Sequence, residues 1–310
     1  MLNALTIDLE DYFQVQAFSN VVPYEDWESY DSRIEHNTYH LLELLNEASQ
    51  PSNLTPYALR PKPSSTFFIL GWIAERYPHL VQAIKNRGHE IACHGYAHKL
   101  IYRQSKEEFR ADVKRAKAIL EDITGDEVIG YRAPSYSIIA ETLWAFEVLA
   151  EEGFKYDSSI FPIRHDTYGI PSAPRFPFSI AVSNSCKFSM LNSNAAALST
   201  AAPFILEFPL STIQILGFNF PISGGGYFRM FPYFLIKKGL KGINEKEKIH
   251  FIFYIHPWEF DGQQPRFKEA KRLSRFRHYI NLGKTENRFW RLLQDFQFTS
   301  IKNIIMNYEC

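Results

Sequence analysis

What most constrains the fold of this chain is a recurring order: a short unbroken apolar run, then polar residues, then a stretch of helical periodicity. Ala4 to Glu10, Thr66 to Gly71, His89 to Cys93, Val128 to Tyr131, Phe154 to Asp157, Phe204 to Phe208 and Ile249 to His256 are such runs. Because they do not alternate apolar with polar residues, they read as strands covered on both faces. Between them, Ile34, Leu41, Leu42 and Leu45 recur at helical spacing within Trp27 to Asn46. Trp72 to Asn86 ends at Arg87-Gly88, as a glycine C-cap predicts, and Ser105-Lys-Glu-Glu108 is a capping box opening a helix through Asp122. Glu141 to Glu152 is a further helix, stopped at Gly153. Strand, helix, strand in this order predicts an α/β protein with a parallel sheet or barrel, whose ligand crevice lies past the C-terminal ends of the strands. Asp8, His94, Arg132 and Asp157 all fall there.

Ten histidines are spread through the 310 residues, and two of them stand four apart in His94-Gly-Tyr-Ala-His98. Neutral imidazoles are good ligands for a borderline divalent cation, and a pair leaves room for a carboxylate. Asp8, Glu10 and Asp11 crowd three carboxylates into four residues, which can be buried only beside a cation or an arginine. Strand alternation puts Asp8 and Glu10 on one face and Asp11 on the other. His256 ends an apolar run at Pro257, which places it at a rim, followed by Trp258 and Glu259. Gly224-Gly-Gly-Tyr-Phe-Arg229 lacks the Lys-Ser/Thr ending of a phosphate loop and reads as a tight turn facing substrate. Cys93 reads as a small buried hydrophobe and not as a ligand.

The formal net charge is zero, so no whole-protein field draws the chain to nucleic acid or an anionic membrane. With 45% hydrophobic residues it can build one large domain, or one domain with an appendage. There is no basic n-region at Met1, no apolar run approaching about 18 residues, and Cys93, Cys186 and Cys310 form no even framework. A soluble cytoplasmic protein without a transmembrane segment is expected. The basic stretch Arg266 to Arg288 reads as a solvated helix face, and Asn287 to Phe296 as a last amphipathic helix. Ser49 to Ser65 is a polar, proline-rich connector, and Ser179 to Ala202 has little periodicity.

Thr6-Ile-Asp8, His94-Gly-Tyr-Ala-His98, Arg132-Ala-Pro-Ser, Tyr156-Asp-Ser-Ser159 and Tyr254-Ile-His256-Pro, in this order, resemble the short motifs of the polysaccharide deacetylases, carbohydrate esterase family four with its NodB-homology domain. Asp8-Leu-Glu-Asp-Tyr-Phe, Gly224-Gly-Gly-Tyr-Phe-Arg and His256-Pro-Trp-Glu-Phe-Asp, with Gln264-Pro-Arg, resemble its subgroup tied to exopolysaccharide synthesis. The resemblance implies a deformed (β/α) barrel of seven strands over residues 1–265, with a helical C-terminal extension, 266–310, packed on it. It implies hydrolysis of N-acetyl groups from an amino-sugar polysaccharide or its precursor, with a divalent metal, zinc before cobalt or another ion, on His94, His98 and one N-terminal carboxylate. Asp8 would be the general base, Arg132 its partner, His256 the general acid and Asp157 a supporting group behind them. Tyr136, Tyr227 and Trp258, with Trp27, would meet the glycan. The commonest family form has adjacent aspartates, whereas Leu9 follows Asp8 here; Glu10 is the first choice of third ligand and Asp11 the second. An amidase acting on a small molecule and a non-catalytic glycan-binding protein of the same fold are the competing readings.

Overall fold

Strand β1 (Leu2–Leu9) is the axis of the molecule. Ala4, Leu5, Ile7 and Leu9 are all fully buried, which is why the run carries no polar alternation. Each such leucine or isoleucine contributes about 2 kcal/mol through burial. The computed structural model describes residues 1–48, 62–182, 190–192 and 204–308, with the backbone alone at 190–192. Most of the 49–65 connector and of the 179–202 stretch lies outside the described residues, as do Cys186 and Cys310.

On one side β1 pairs in parallel with β2 (Thr66–Ile69), followed by β3 (Glu90–Cys93), β4 (Gly130–Tyr131), β5 (Tyr156–Asp157) and β8 (Phe204–Glu207). On the other it pairs in parallel with β11 (Ile252–Ile255) and, at its start, with β12 (Gln297–Thr299). Two antiparallel strands, β6 (Phe178–Ala181) and β7 (Met190–Asn192), extend the β8 edge. Between β8 and β11 no ladder forms; the Ser211 hydroxyl accepts from the Ile252 N–H at 2.8 Å, and Gly224 makes a single bridge to Tyr254. This incompletely closed ring is the expected deformed barrel.

The helices follow the sequence pattern where their signals are local. Helix α4 (Lys106–Thr124) begins with the Ser105–Glu108 capping box and ends at Gly125, with φ 70°. Three expected helices are shorter than predicted. The Trp27 to Asn46 stretch becomes a 3₁₀ turn at Tyr24–Ser29 and then α1 (Ile34–Glu47), because the Asp11 carboxylate accepts from the Arg33 and Ile34 N–H groups and fixes the start there. Trp72 to Asn86 divides into α2 (Gly71–Arg76) and α3 (Pro78–Asn86), since Pro78 has no N–H to continue the first ladder. Glu141 to Glu152 likewise reduces to a 3₁₀ turn and α5 (Ala145–Glu151).

After β8 the chain makes a hairpin absent from the sequence reading, β9 (Thr212–Ile215) and β10 (Phe218–Pro221). Helices α6 (Gly225–Met230) and α7 (Tyr233–Gly242) lead from it into β11. The C-terminal segment supplies α8 (Arg272–Tyr279), α9 (Thr285–Asp295) and α10 (Ile301–Tyr308). It is joined to the barrel through β12 and through the start of α10. There Thr66 Oγ1 and Glu90 Oε2 accept from the Ile301 and Lys302 N–H groups at 2.9 and 3.0 Å.

Candidate active site

The C-terminal ends of β1, β3, β4 and β11 bring the predicted chemistry to one place. β1 delivers Asp8 and, one residue beyond its end, Glu10. β3 runs directly into His94, and the following loop turns back to present His98. That turn holds His98 at φ 53°, and Ser135 and Tyr136, after β4, sit at φ 51° and 55°. Non-glycine residues enter this region only when their surroundings impose it, and here the strained positions cluster at the site.

Glu10, His94 and His98 offer one ligand atom each, all within 4.8 Å of one another, and all three residues are buried. The Arg132 carbonyl, which can only accept, lies 2.7 Å from His94 Nδ1, so Nδ1 carries the proton and Nε2 is left as a lone pair facing the cluster. Burial pushes His94 down to about 4, overriding the carboxylates beside it, and keeps the ring neutral as a ligand must be. Glu10 Oε2 lies 2.9 Å from His98 Nε2, yet it is buried with no aligned hydrogen bond. Burial would raise the Glu10 carboxyl, but His98, His256 and His94 together hold it at about 2. An ionised carboxylate with an orphaned oxygen between two imidazoles fits a divalent cation.

Asp11 is not part of this cluster. Its carboxylate accepts from the Ser32 hydroxyl and from the Tyr12, Arg33 and Ile34 N–H groups at 2.8 to 3.2 Å. Strand alternation had separated it from Asp8 and Glu10, and those donors give it a structural use. Asp11→Ala is expected to lower stability by about 2 kcal/mol or more, through loss of the helix cap and the exposed donors it leaves, while metal content is unchanged. Urea unfolding and metal analysis check this; a stable variant that has lost its metal would make Asp11 a ligand.

Beside the cluster, Arg132 is fully buried and donates through Nη1 to Asp8 Oδ1 at 2.7 Å and to Thr6 Oγ1 at 2.8 Å. Its Nε and Nη2 bind the Ser158 carbonyl and hydroxyl, and the guanidinium lies over the Phe68 ring. Asp8 Oδ2 keeps only the Tyr136 hydroxyl, at 3.4 Å. Asp157 stands behind this pair and touches neither Asp8 nor His256. It accepts from the Ser159 N–H and hydroxyl, and that hydroxyl accepts from the Ala133 N–H, so Asp157 shapes the turn that grips Arg132. Its register partner Glu207 is pushed well up by burial and by Asp157's charge.

His256 Nε2 faces Glu10 Oε1 at 3.4 Å and Asp8 Oδ2 at 3.9 Å. Its Nδ1 is held by Glu259 Oε1 at 2.7 Å, and Glu259 Oε2 accepts from Arg229 Nε at 2.5 Å. Burial disfavours the His256 charge, but Glu10, Glu259 and Asp8 raise it to about 9. Glu259 and Arg229 stood in the sequence motifs without a role, although in His256-Pro-Trp-Glu259 a carboxylate three positions past the capping residue His256 is a capping-box signal. Glu259→Gln is expected to slow turnover about 10- to 100-fold with metal retained. It should also cost about 3–5 kcal/mol by leaving Arg229 buried without its anion. Wild-type turnover in this variant would show that Glu259 does not position the ring.

The expected glycan-facing aromatics divide. Trp258 is buried, stacked against His256 and His278 with centroids 5.1 and 4.1 Å away, and its Nε1 points to Glu10 Oε1 at 3.3 Å. It is a wall of the site and leaves no open face for a sugar. His278, from the basic stretch, is the buried backing of that wall, anchored to Gln264 at 2.7 Å. Trp27 is buried against Trp72 and Phe13, and borders a cavity of about 230 Å³ beside His98, with Lys99 and Arg103 at its lip. Tyr136 is buried with its hydroxyl 3.4 Å from Asp8 Oδ2, and half-buried Tyr227, carried by α6, packs edge-on against Phe161, which also meets Tyr136. That helix opens at Gly224, where φ is 136° and a Cβ would lie 1.8 Å from the Tyr254 carbonyl oxygen. The triple glycine is therefore a turn forced by close approach of backbones.

Residues 53–155 match the family model described as polysaccharide deacetylase, and residues 158–306 match one described as a domain of unknown function (DUF3473). The chain is 34% identical over 95 residues to a peptidoglycan deacetylase-like protein, FGM2, of Gibberella zeae, covering 31% of this chain and 27% of that one. It is 34% identical over 84 residues to a peptidoglycan-N-acetylglucosamine deacetylase of Bacillus cereus, covering 27% and 30%. The chain thus spans less than a third of the length of these curated relatives. A crystal structure described as that of a polysaccharide deacetylase from Mycobacterium smegmatis shares the fold, with TM-score 0.56 and 17% identity over 98% of this chain and 88% of that one.

Proposed function

We propose that this chain, of which residues 53–155 match the polysaccharide deacetylase family model, is a metal-dependent hydrolase removing N-acetyl groups from an amino-sugar polysaccharide or its precursor, in exopolysaccharide or cell-wall metabolism. The observation that carries this reading is the convergence of a buried Glu10–His94–His98 cluster with an arginine-held carboxylate, Asp8, and a carboxylate-held imidazole, His256. Zinc suits a two-histidine, one-carboxylate donor set. A divalent cation held there supplies Lewis acidity toward the acetyl carbonyl and the attacking water.

The remaining roles fall to this chain's own groups. Arg132 holds Asp8 through Oδ1, leaving Oδ2 directed at the site to take a proton from water. Glu259 fixes the His256 tautomer so that Nε2 can give a proton to the departing amine. Tyr136 and Tyr227 border the space where a sugar would lie. The groove beside His98 offers room for a neighbouring part of a polymer.

Incubation with short N-acetylglucosamine oligomers, followed by mass spectrometry, tests the reaction class. Free amines and acetate with glycosidic bonds intact are expected. Glycan binding without acetate would favour the non-catalytic reading, and acetate or ring-opened product only from small amides would favour the amidase.

A further inference from the structure

The hairpin formed by β9 and β10 exposes what a folded chain usually buries. Leu216 is 93% exposed, Phe218 72%, Ile215 47% and Phe220 43%. Leu216 and Gly217, at φ 50° and 82°, form the tight two-residue turn that lifts this apolar tip from the barrel. α7 packs against the base of the hairpin, where a Cβ on Gly239 would meet Ile222 and Ile213. One turn earlier on that face α7 presents Leu235, and beside it Phe234, 46% and 66% exposed. Apolar exposure of this extent in one place marks an interaction surface.

The charge around it is one-sided. No aspartate or glutamate occurs between Glu207 and Glu245, whereas Lys237, Lys238 and Lys241 all lie on α7. Lys237 is paired with Asp295 at 2.6 Å, while Lys238 and Lys241 are exposed. The chain's net charge of zero therefore conceals a local patch that is cationic and apolar together. Among the described residues no helix is long and apolar enough to cross a membrane.

We propose that the β9–β10 tip and the adjoining face of α7 dock on an anionic lipid surface, with Leu216 and Phe218 inserted at the interface and Lys238 and Lys241 on the headgroups. Aromatic and branched side chains at a projecting tip enter the headgroup boundary without a shaped partner, and lysines at its edge add an attraction that salt screens. A protein partner would instead require a complementary flat or concave face, which a protruding turn does not offer by itself. β10 leads through Ile222 and Ser223 to Gly224 and Tyr227, so a docked hairpin would hold the site's rim near the bilayer. The inference does not depend on the reaction catalysed.

Sedimentation of the full chain with vesicles tests it, using phosphatidylcholine alone and phosphatidylcholine mixed with phosphatidylglycerol. The wild type is expected to bind the anionic vesicles about tenfold or more tightly than the neutral ones, and less so at high salt. Leu216→Ser with Phe218→Ser should abolish pelleting on both compositions. Lys238→Gln with Lys241→Gln should remove the anionic preference alone. Because the substituted side chains lie in solvent, melting temperatures and acetate release from soluble oligomers should not change. Equal pelleting of the wild type and the Leu216/Phe218 variant, or no pelleting of the wild type, would overturn the proposal. A wild-type dimer that this variant dissolves, without vesicle binding, would overturn it in favour of a second copy as the occupant.

Discussion

Asp8→Asn is expected to retain the metal and to release acetate about 10²- to 10⁴-fold more slowly than the wild type. The amide keeps an oxygen that can accept from Arg132 Nη1, so the local hydrogen bond can persist, but it cannot take a proton from water. Arg132, fully buried, loses its anion, and some stability is lost with it. Initial rates and metal content on the same preparation separate the two effects. An unchanged rate would place the base elsewhere, and His256 Nε2 stands 3.9 Å from Asp8 Oδ2.

The other large effect is expected from His98→Ala, which should lose the metal and bring acetate release to background while the protein stays folded. His98 lies on a loop past β3, and its positive φ is already borne by a residue with a Cβ, so alanine adds little strain there. Its removal takes away the imidazole that faces Glu10 Oε2 at 2.9 Å, leaving a buried carboxylate with fewer partners. Metal content by elemental analysis and far-ultraviolet circular dichroism check the two halves of the prediction. A folded variant with full metal occupancy would remove His98 from the ligand set.

The order of strands and helices was legible in the sequence because each signal is local: unbroken apolar runs, a capping box at Ser105, a glycine at the end of a helix. The site was legible for the same reason, since Asp8 is the last residue but one of its strand and His94, Arg132 and His256 each follow directly on a strand end. Long-range pairings were not. Asp11 stood as second choice to Glu10 in the sequence, which carries no sign that Ser32 and the start of α1 meet its carboxylate from 21 or more residues away. Trp258 read as an exposed sugar platform because nothing nearby announces that His278 will stack on it. The burial of Asp157 against Glu207, and the hold of Arg229 on Glu259, likewise join segments distant in the chain. The exposed hairpin has no counterpart in the sequence reading, and it is the turn at Leu216-Gly217 that carries its apolar residues outward.

The most direct test of the account is metal analysis of the purified protein, coupled to acetate release from N-acetylglucosamine oligomers before and after chelation. Near-stoichiometric metal, acetate release abolished by chelator and restored by zinc is the predicted result. Acetate release that survives complete removal of metal would contradict the role given to Glu10, His94 and His98.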